Sequence, residues 1–432
     1  LKRFCQFLII SVVIVSAAFL VFKFSGIYRV SLLKDNIDWS IVAKNCNDAL
    51  TFDKDKDDNT YVAYENSIKV LKKDGREEIL VQDKSLSIES LVCNDENLYF
   101  ISKGEIYHYN TQNKFLEVIL KDIPTQGKYL DRHLILKDSK LLLSIGAATN
   151  SGVAEKDDNS TLRNIPYDKT PINITLSGEN YGKEKTGAFM SYKESSTKGQ
   201  KISAKELGNA SIIEIDLNTN KNSLYACGIR NIKGWDIDSK NNLIAITGGI
   251  ENTGVRPVAR DFDYIYKLEK GNWYGWPDFS GGDPITSPRF KGENILSPII
   301  LNPPNKVVSA PLYQFSKIGG LENLAIDKEG TILDKDSKVF YDKEDNMICS
   351  IDERGVLYRL LKLRDESEIK GIKYSNGAIY ILDGGIGCIY KLKLGGASLK
   401  FNLPKSIWIF IISLLFILLL LNIRRINNKI KR

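Results

Sequence analysis

The stretch of this chain best suited to holding a small molecule is Gly271-Asn272-Trp273-Tyr274-Gly275-Trp276-Pro277. Glycine and proline punctuate structure, so these residues form a turn or loop and not a helix. Trp273, Tyr274 and Trp276 bring much apolar surface into one loop, and two readings are open. They plug a core, or they wall a cleft on which a flat ligand or a sugar ring stacks. Proton chemistry has few candidates, because the chain holds only two histidines, His108 and His133. Asp53, Asp55 and Asp57 begin like a calcium loop, but Asp58 stands where the glycine belongs and Tyr64 where the closing glutamate belongs. They read as an acidic turn. Cys46, Cys93, Cys227, Cys349 and Cys388 are widely separated, which excludes C-x-x-C zinc or redox spacing. A Cys46–Cys93 bridge is open to an extracytoplasmic domain, and isolated cysteines on strands otherwise serve as small buried hydrophobes.

The elements that carry these residues are framed by two apolar runs. Residues 4–24 are almost unbroken apolar sequence, preceded by Lys2 and Arg3. That length spans a bilayer as a helix, with a cleavable signal peptide as the rival reading. Residues 407–423 form a second run, and the tail 424–432 that follows carries Arg424, Arg425, Lys429, Lys431 and Arg432. The positive-inside rule puts this tail and the N-terminus in the cytoplasm and the span 30–400 outside the cell membrane. The net charge of +7 comes from 60 Lys and Arg scattered among 53 Asp and Glu, so there is no nucleic-acid footprint.

Between the runs, helical periodicity is scarce and one pattern recurs. A short apolar strand reaches a polar turn with Asp, Asn or Gly, and a strand rich in Tyr, Ile and Val follows. The pairs are 50–53 with 61–63, 91–94 with 98–101, 134–138 with 141–144, 235–238 with 243–246, 324–327 with 331–333, and 372–375 with 378–381. Second hairpin halves occur at 67–71, 105–109, 211–216 and 388–392. Two hairpins per repeat make a four-stranded blade, and six repeats predict an all-β, six-bladed β-propeller. The polar stretch 147–208 interrupts the third repeat and reads as a loop excursion.

The order Cys227-Gly228-Ile229-Arg230-Asn231-Ile232-Lys233-Gly234-Trp235-Asp236, then Gly248-Gly249, Glu251, Asp263-Tyr264 and the aromatic loop, resembles the glucose/sorbosone dehydrogenase family of six-bladed quinoprotein propellers. Its "G-L-R-N-P-x-G" and "Y-G-W-P" signatures are both visible, with Lys233 where a small or amide residue is usual. The resemblance covers most of the span 30–400 and is strongest over 226–277. It implies an oxidoreductase that uses pyrroloquinoline quinone (PQQ) and Ca²⁺ on a sugar or aldose. Arg230 and Asn231 would touch the cofactor, Glu251 and Asp263 would shape the metal-side loop, and Trp273, Tyr274 and Trp276 would wall the substrate cleft. The family's catalytic histidine falls on Tyr129, while His133 lies a few residues on, inside the strand. These two are therefore the catalytic candidates. Without the histidine in place, a second reading stands beside the dehydrogenase: an inactive propeller that binds a ligand or organises the cell envelope. A calcium-dependent lactonase-like hydrolase is a third, and its metal cluster is not visible in the sequence.

Overall fold

The computed structural model describes residues 28 and 30–395, apart from 157–164 and 293–295, and the helical positions Ser413, Phe416 and Leu420. The apolar runs 4–24 and 407–423 and the tail 424–432 lie otherwise outside the described residues. Among those described, no helix is long and apolar enough to cross a membrane.

Residues 32–394 form the propeller. Its inner strands are Thr51–Lys54, Ile88–Asn94, Leu134–Lys137, Ile232–Ile237, Leu321–Asp327 and Ile369–Ser375, one per blade. Each starts a sheet whose next strands pair antiparallel outward, as in blade 1, where Thr60–Tyr64, Ser67–Leu71 and Glu77–Gln82 follow in order. Alternating side chains give each strand two apolar faces, and a single sheet cannot cover both. The ring solves this. Ile68, Val70, Leu98 and Phe100 interlock between blades 1 and 2, and Ile246, Ile265, Leu324 and Phe340 between blades 4 and 5.

Blade 6 shows how the ring closes. Its three inner strands come from the C-terminal end of the propeller, and its outermost strand is Ile37–Lys44, which pairs with Cys388–Leu394. The repeat pattern leaves this strand unseen, because it is a lone edge with no hairpin partner nearby in sequence.

Turns between first and second strands repeat one device. Asp55 accepts the Asn59 N–H at 2.9 Å and its side-chain amide at 2.7 Å, and Asp238 does the same with Asn242 at 2.8 Å for both contacts. Asp55 is therefore a turn-former, as the failed calcium spacing indicates, while Asp53 lies in the strand Thr51–Lys54 and accepts the Cys93 N–H at 2.9 Å. Blade 5 departs from the expected pairing. Residues 331–333 are not a strand: Asp327 holds their amides at 3.0, 2.8 and 2.8 Å, and the second strand is Ser337–Asp342. A buried carboxylate gathering three amides competes successfully with a β-ladder.

Among the described residues Cys46, Cys93, Cys227, Cys349 and Cys388 are free thiols, so no Cys46–Cys93 bridge forms. Burial pushes the Cys46 thiol up to about 11, which keeps it protonated and inert.

Candidate functional site

The inner strands all start at one end of the ring, here termed the mouth. The second strands of blades 3 and 4 end there too, at Ile145 and Thr247. Two long excursions leave from these points, 146–210 and 248–263, before the third strands Ser211–Asp216 and Tyr264–Leu268 begin.

The first excursion is packed. Val153, Ile174, Leu176, Ala188, Phe189 and Met190 share a buried cluster with Trp273 and Trp276. The Trp276 indole donates to the Asn150 carbonyl at 3.1 Å, and the Tyr274 hydroxyl donates to the Lys267 carbonyl at 3.0 Å. Relative exposures of 3%, 4% and 5% for Trp273, Tyr274 and Trp276 show that the aromatic loop is buried. The loop fastens the excursion to blades 3 and 4, and Tyr274 and Trp276 also line a small cavity with Arg230 and Gly248. A buried ion pair completes the clamp. Arg256 Nη2 lies 2.8 Å from Asp278 Oδ1, and the guanidinium also donates to the carbonyls of Ser151, Pro277 and Ser297.

Arg230 and Asn231 come just before the inner strand of blade 4. Gly228 makes this approach possible: its φ is +72°, and a Cβ there would sit 2.4 Å from the Trp273 ring. Arg230 is buried. It donates to the Gly249 carbonyl and, at 3.0 Å, to Glu251 Oε1, while its Cζ lies 3.7 Å from the Tyr129 ring centroid. Tyr129 in turn donates its hydroxyl to Glu251 Oε2 at 2.7 Å. Burial pushes the Glu251 carboxyl up, but the Tyr129 hydroxyl and Arg230 outweigh it and hold the group below its ordinary range. Burial and Glu251 both raise the Tyr129 phenol, so it stays protonated at neutral pH.

Asp263 reaches the same turn from the other side, taking the Gly249 N–H on Oδ1 at 3.3 Å. Burial raises its pKa against the backbone N–H groups of Gly319, Gly249 and Leu321. Gly248 donates to the Asn231 carbonyl at 3.3 Å. Arg230, Asn231, Glu251 and Asp263 therefore converge on Gly248–Gly249. Three buried polar atoms there lack a protein partner: Arg230 Nε, Asn231 Oδ1 and Asp263 Oδ2. Among the described residues no three His, Cys, Asp or Glu side chains gather as a metal cluster.

His133 enters blade 3 beside this group, half-buried, with its backbone N–H on Ser144 Oγ at 2.9 Å. Burial pulls its pKa below the ordinary value, Asp131 opposes this, and Lys233 and Lys373 reinforce it. A hydrogen bond from the ring to the Ile232 backbone also opposes the fall, and the ring is neutral at pH 7. His108 is remote from all this, bridging Glu117 and Asn97 on the outer part of blade 2.

Sequence reasoning passed over Asp131, Asp168 and the Arg256–Asp278 pair. Asp168 is the least expected. It accepts the Ala148 N–H at 2.6 Å and the Thr149 N–H at 3.1 Å, fixing the turn that lies against Arg230. Burial raises its carboxyl from 3.8 to about 7 despite those hydrogen bonds and the Arg230 charge. The folded protein then holds a proton that the unfolded chain has lost, so this stabilising contribution is complete below pH 4 and fades as pH rises towards 7. Urea midpoints at pH 5 and pH 7.5 check this. The fall between them is expected to be smaller in Asp168→Asn than in the unaltered protein, and equal falls would refute it.

By sequence, the chain matches no family model and no curated protein. By structure, it resembles the holo form of the pyranose dehydrogenase PQQ domain from Coprinopsis cinerea, at a TM-score of 0.55 and 11% identity over 85% of this chain and 97% of that one. It resembles a calcium structure of the Trichoderma reesei carbohydrate-active enzyme family AA12 at 0.57 and 13% identity, over 85% and 97%. It also resembles PQQ-bound aldose sugar dehydrogenase from Streptomyces coelicolor at 0.51 and 13% identity, over 84% and 98%. The likeness spans nearly the whole of each of those chains and establishes a shared six-bladed propeller.

Proposed function

We propose that this chain is a membrane-anchored, extracytoplasmic sugar dehydrogenase of the quinoprotein type. The observation that carries the reading is the convergence of Arg230, Asn231 and Asp263 on the Gly248–Gly249 turn at one mouth of the ring. The structural neighbours that hold PQQ or calcium share this fold and support it. The apolar runs 4–24 and 407–423 supply the anchoring.

The donor set suits the group. PQQ carries three carboxylates, which call for cations. Arg230 and Lys233 stand at the mouth, with Lys128 3.8 Å from Glu251, and Arg230 Nε has no protein partner. Of the two metal-side carboxylates, Glu251 is spent on Tyr129 and Arg230. Asp263 Oδ2 is the buried carboxylate oxygen that would be left to hold a Ca²⁺. The bound quinone supplies a two-electron acceptor for the hydride of the sugar carbon.

The chain's own residues do the rest. His133, neutral at pH 7, takes the proton from the sugar hydroxyl. Tyr129 and Glu251 hold the Arg230 plane in place. Trp273 and Trp276 keep the excursion packed. A second reading, a propeller that binds without turnover, draws on one observation: Glu251 already neutralises Arg230 and Tyr129 covers one of its faces.

Calorimetric titration of the full chain with PQQ and Ca²⁺, followed by aldoses and an artificial electron acceptor, separates these. Ca²⁺-dependent quinone binding with turnover is expected. Binding without turnover leaves the second reading, and no binding at high micromolar quinone refutes both the cofactor and the dehydrogenase. Turnover should fall as pH drops through a pKa below the ordinary histidine value of about 6.5. Replacing the base with glutamine, His133→Gln, should lower the rate by roughly 10² to 10⁴. A pH-independent rate in the unaltered enzyme, or full activity in the variant, would exclude His133 as the base.

A further inference from the structure

We infer that Asp131 is a positioning residue that sets the polarity of the mouth, turning the Asn231 amide oxygen inward and holding Lys233 beside it. The inference deepens the reading above, in which Asn231 faces the ligand. Asp131 Oδ2 receives the Asn231 Nδ2 at 2.7 Å and the Lys233 Nζ at 2.9 Å. An ionised carboxylate only accepts hydrogen bonds, so Asn231 must present its NH₂ to it. The amide is planar, and its oxygen therefore points the other way. That oxygen, Asn231 Oδ1, is buried and has no protein partner.

The neighbouring residue is cut to match. A Cβ at Gly248 would lie 2.4 Å from Asn231 Oδ1, so a glycine there leaves the acceptor uncovered. A buried acceptor left without a donor is costly, and native structures keep few of them. This one is open to a hydrogen-bond donor on the ligand, whether a ring N–H of the quinone or a hydroxyl of the sugar. Asp131 is itself fixed from both sides by the backbone. Its N–H donates to the Tyr129 carbonyl at 2.9 Å, and its carbonyl accepts the Gly146 N–H at 3.1 Å. The same loop thus sets the tyrosine that stacks on Arg230 and the carboxylate that orients Asn231.

Asp131 also lies within electrostatic reach of His133. The charged groups that act on that ring are Asp131 from its own segment, Lys233 from blade 4 and Lys373 from blade 6. Asp131 is the one anion among them, and Lys373 is itself paired with Asp53 of blade 1 at 3.4 Å. Removing the anion leaves the histidine facing two cations.

The test is Asp131→Asn and Asp131→Glu in the full chain. The isosteric amide permits the Asn231 amide to turn over and leaves Lys233 unpaired, while the glutamate keeps the charge. Proton NMR resolves the two histidines, with His108 as the internal control. In Asp131→Asn the His133 pKa should fall further below that of the unaltered protein, with His108 unmoved, and Asp131→Glu should restore most of the shift. Ca²⁺-dependent PQQ binding should weaken at least tenfold in Asp131→Asn and recover in Asp131→Glu. A variant that melts earlier yet leaves the His133 titration and quinone affinity unchanged would overturn the positioning role. If the unaltered protein binds no quinone, the dehydrogenase reading fails, and the histidine titration alone decides for or against Asp131.

Discussion

Arg230→Ala is expected to remove Ca²⁺-dependent quinone binding while leaving the propeller folded. Arg230 is 4% exposed, and its guanidinium joins the Gly249 carbonyl, Glu251 and the Tyr129 ring. Its removal takes away the one arginine fork in the convergent group and leaves Glu251, with only the more distant Lys128 as a counter-charge, facing an anionic ligand. Truncating one partner of a buried, hydrogen-bonded charge pair at a binding site costs about 2–5 kcal/mol, so affinity should drop by roughly 30-fold or more. Stability should change less, by about 1–3 kcal/mol. Glu251 keeps the Tyr129 hydroxyl at 2.7 Å and Lys128 at 3.8 Å, and its side chain is 30% exposed, so water shares the burden. Arg230→Lys keeps the charge but not the planar fork, and its affinity should fall between the two. Calorimetry with PQQ and Ca²⁺ reads the first effect and urea unfolding the second. An alanine variant that binds quinone as tightly as the unaltered chain would move the ligand site elsewhere.

Arg256→Ala carries the largest expected loss of stability. The Arg256 side chain is 0% exposed and that of Asp278 3%, so removing the cation strands a carboxylate that water cannot reach. Breaking such a pair from one side costs about 3–5 kcal/mol. Asp278 would retain the Ile299 and Ile300 N–H groups, at 2.9 and 2.8 Å to Oδ2, which limits the loss without replacing the charge. The damage should be local before it is global, because Arg256 ties together Ser151 of the excursion, Pro277 at the end of the aromatic loop and Ser297. Limited proteolysis should therefore cut within 146–210 in the variant under conditions that spare the unaltered protein. The double variant Arg256→Met with Asp278→Leu removes both charges and should recover part of the lost stability. A single variant within about 1 kcal/mol of the unaltered protein would show that the pair is not the clamp.

The repeating hairpins make most of the fold readable from the chain. Strand alternation and the Asp-centred turns, such as Asp238 to Asn242, are local properties, and four residues suffice to write each one. The pairing in blade 5 was misread for the same reason. Asp327 gathers the amides of 331–333, and that competition between a carboxylate and a ladder is invisible in apolar patterning. The ring-closing strand Ile37–Lys44 was missed because its partner, Cys388–Leu394, lies at the other end of the propeller.

The site divides along the same line. By itself, the sequence determined the all-β propeller class, the blade count, and Arg230 with Asn231 as the residues to watch. The family resemblance singled out Tyr129 and His133 as candidates for the base, and the chain holds only two histidines. Only the tertiary structure decided that the aromatic loop is a buried fastening, that Tyr129 stacks on Arg230, and that Asp131 fixes Asn231 from a hundred residues away. The physical reason is that side-chain periodicity reports which face of a strand is buried, whereas convergence at a mouth depends on how six separate blades close around one axis. A carboxylate and an amide a hundred residues apart leave no joint mark on the chain until the ring brings them to 2.7 Å.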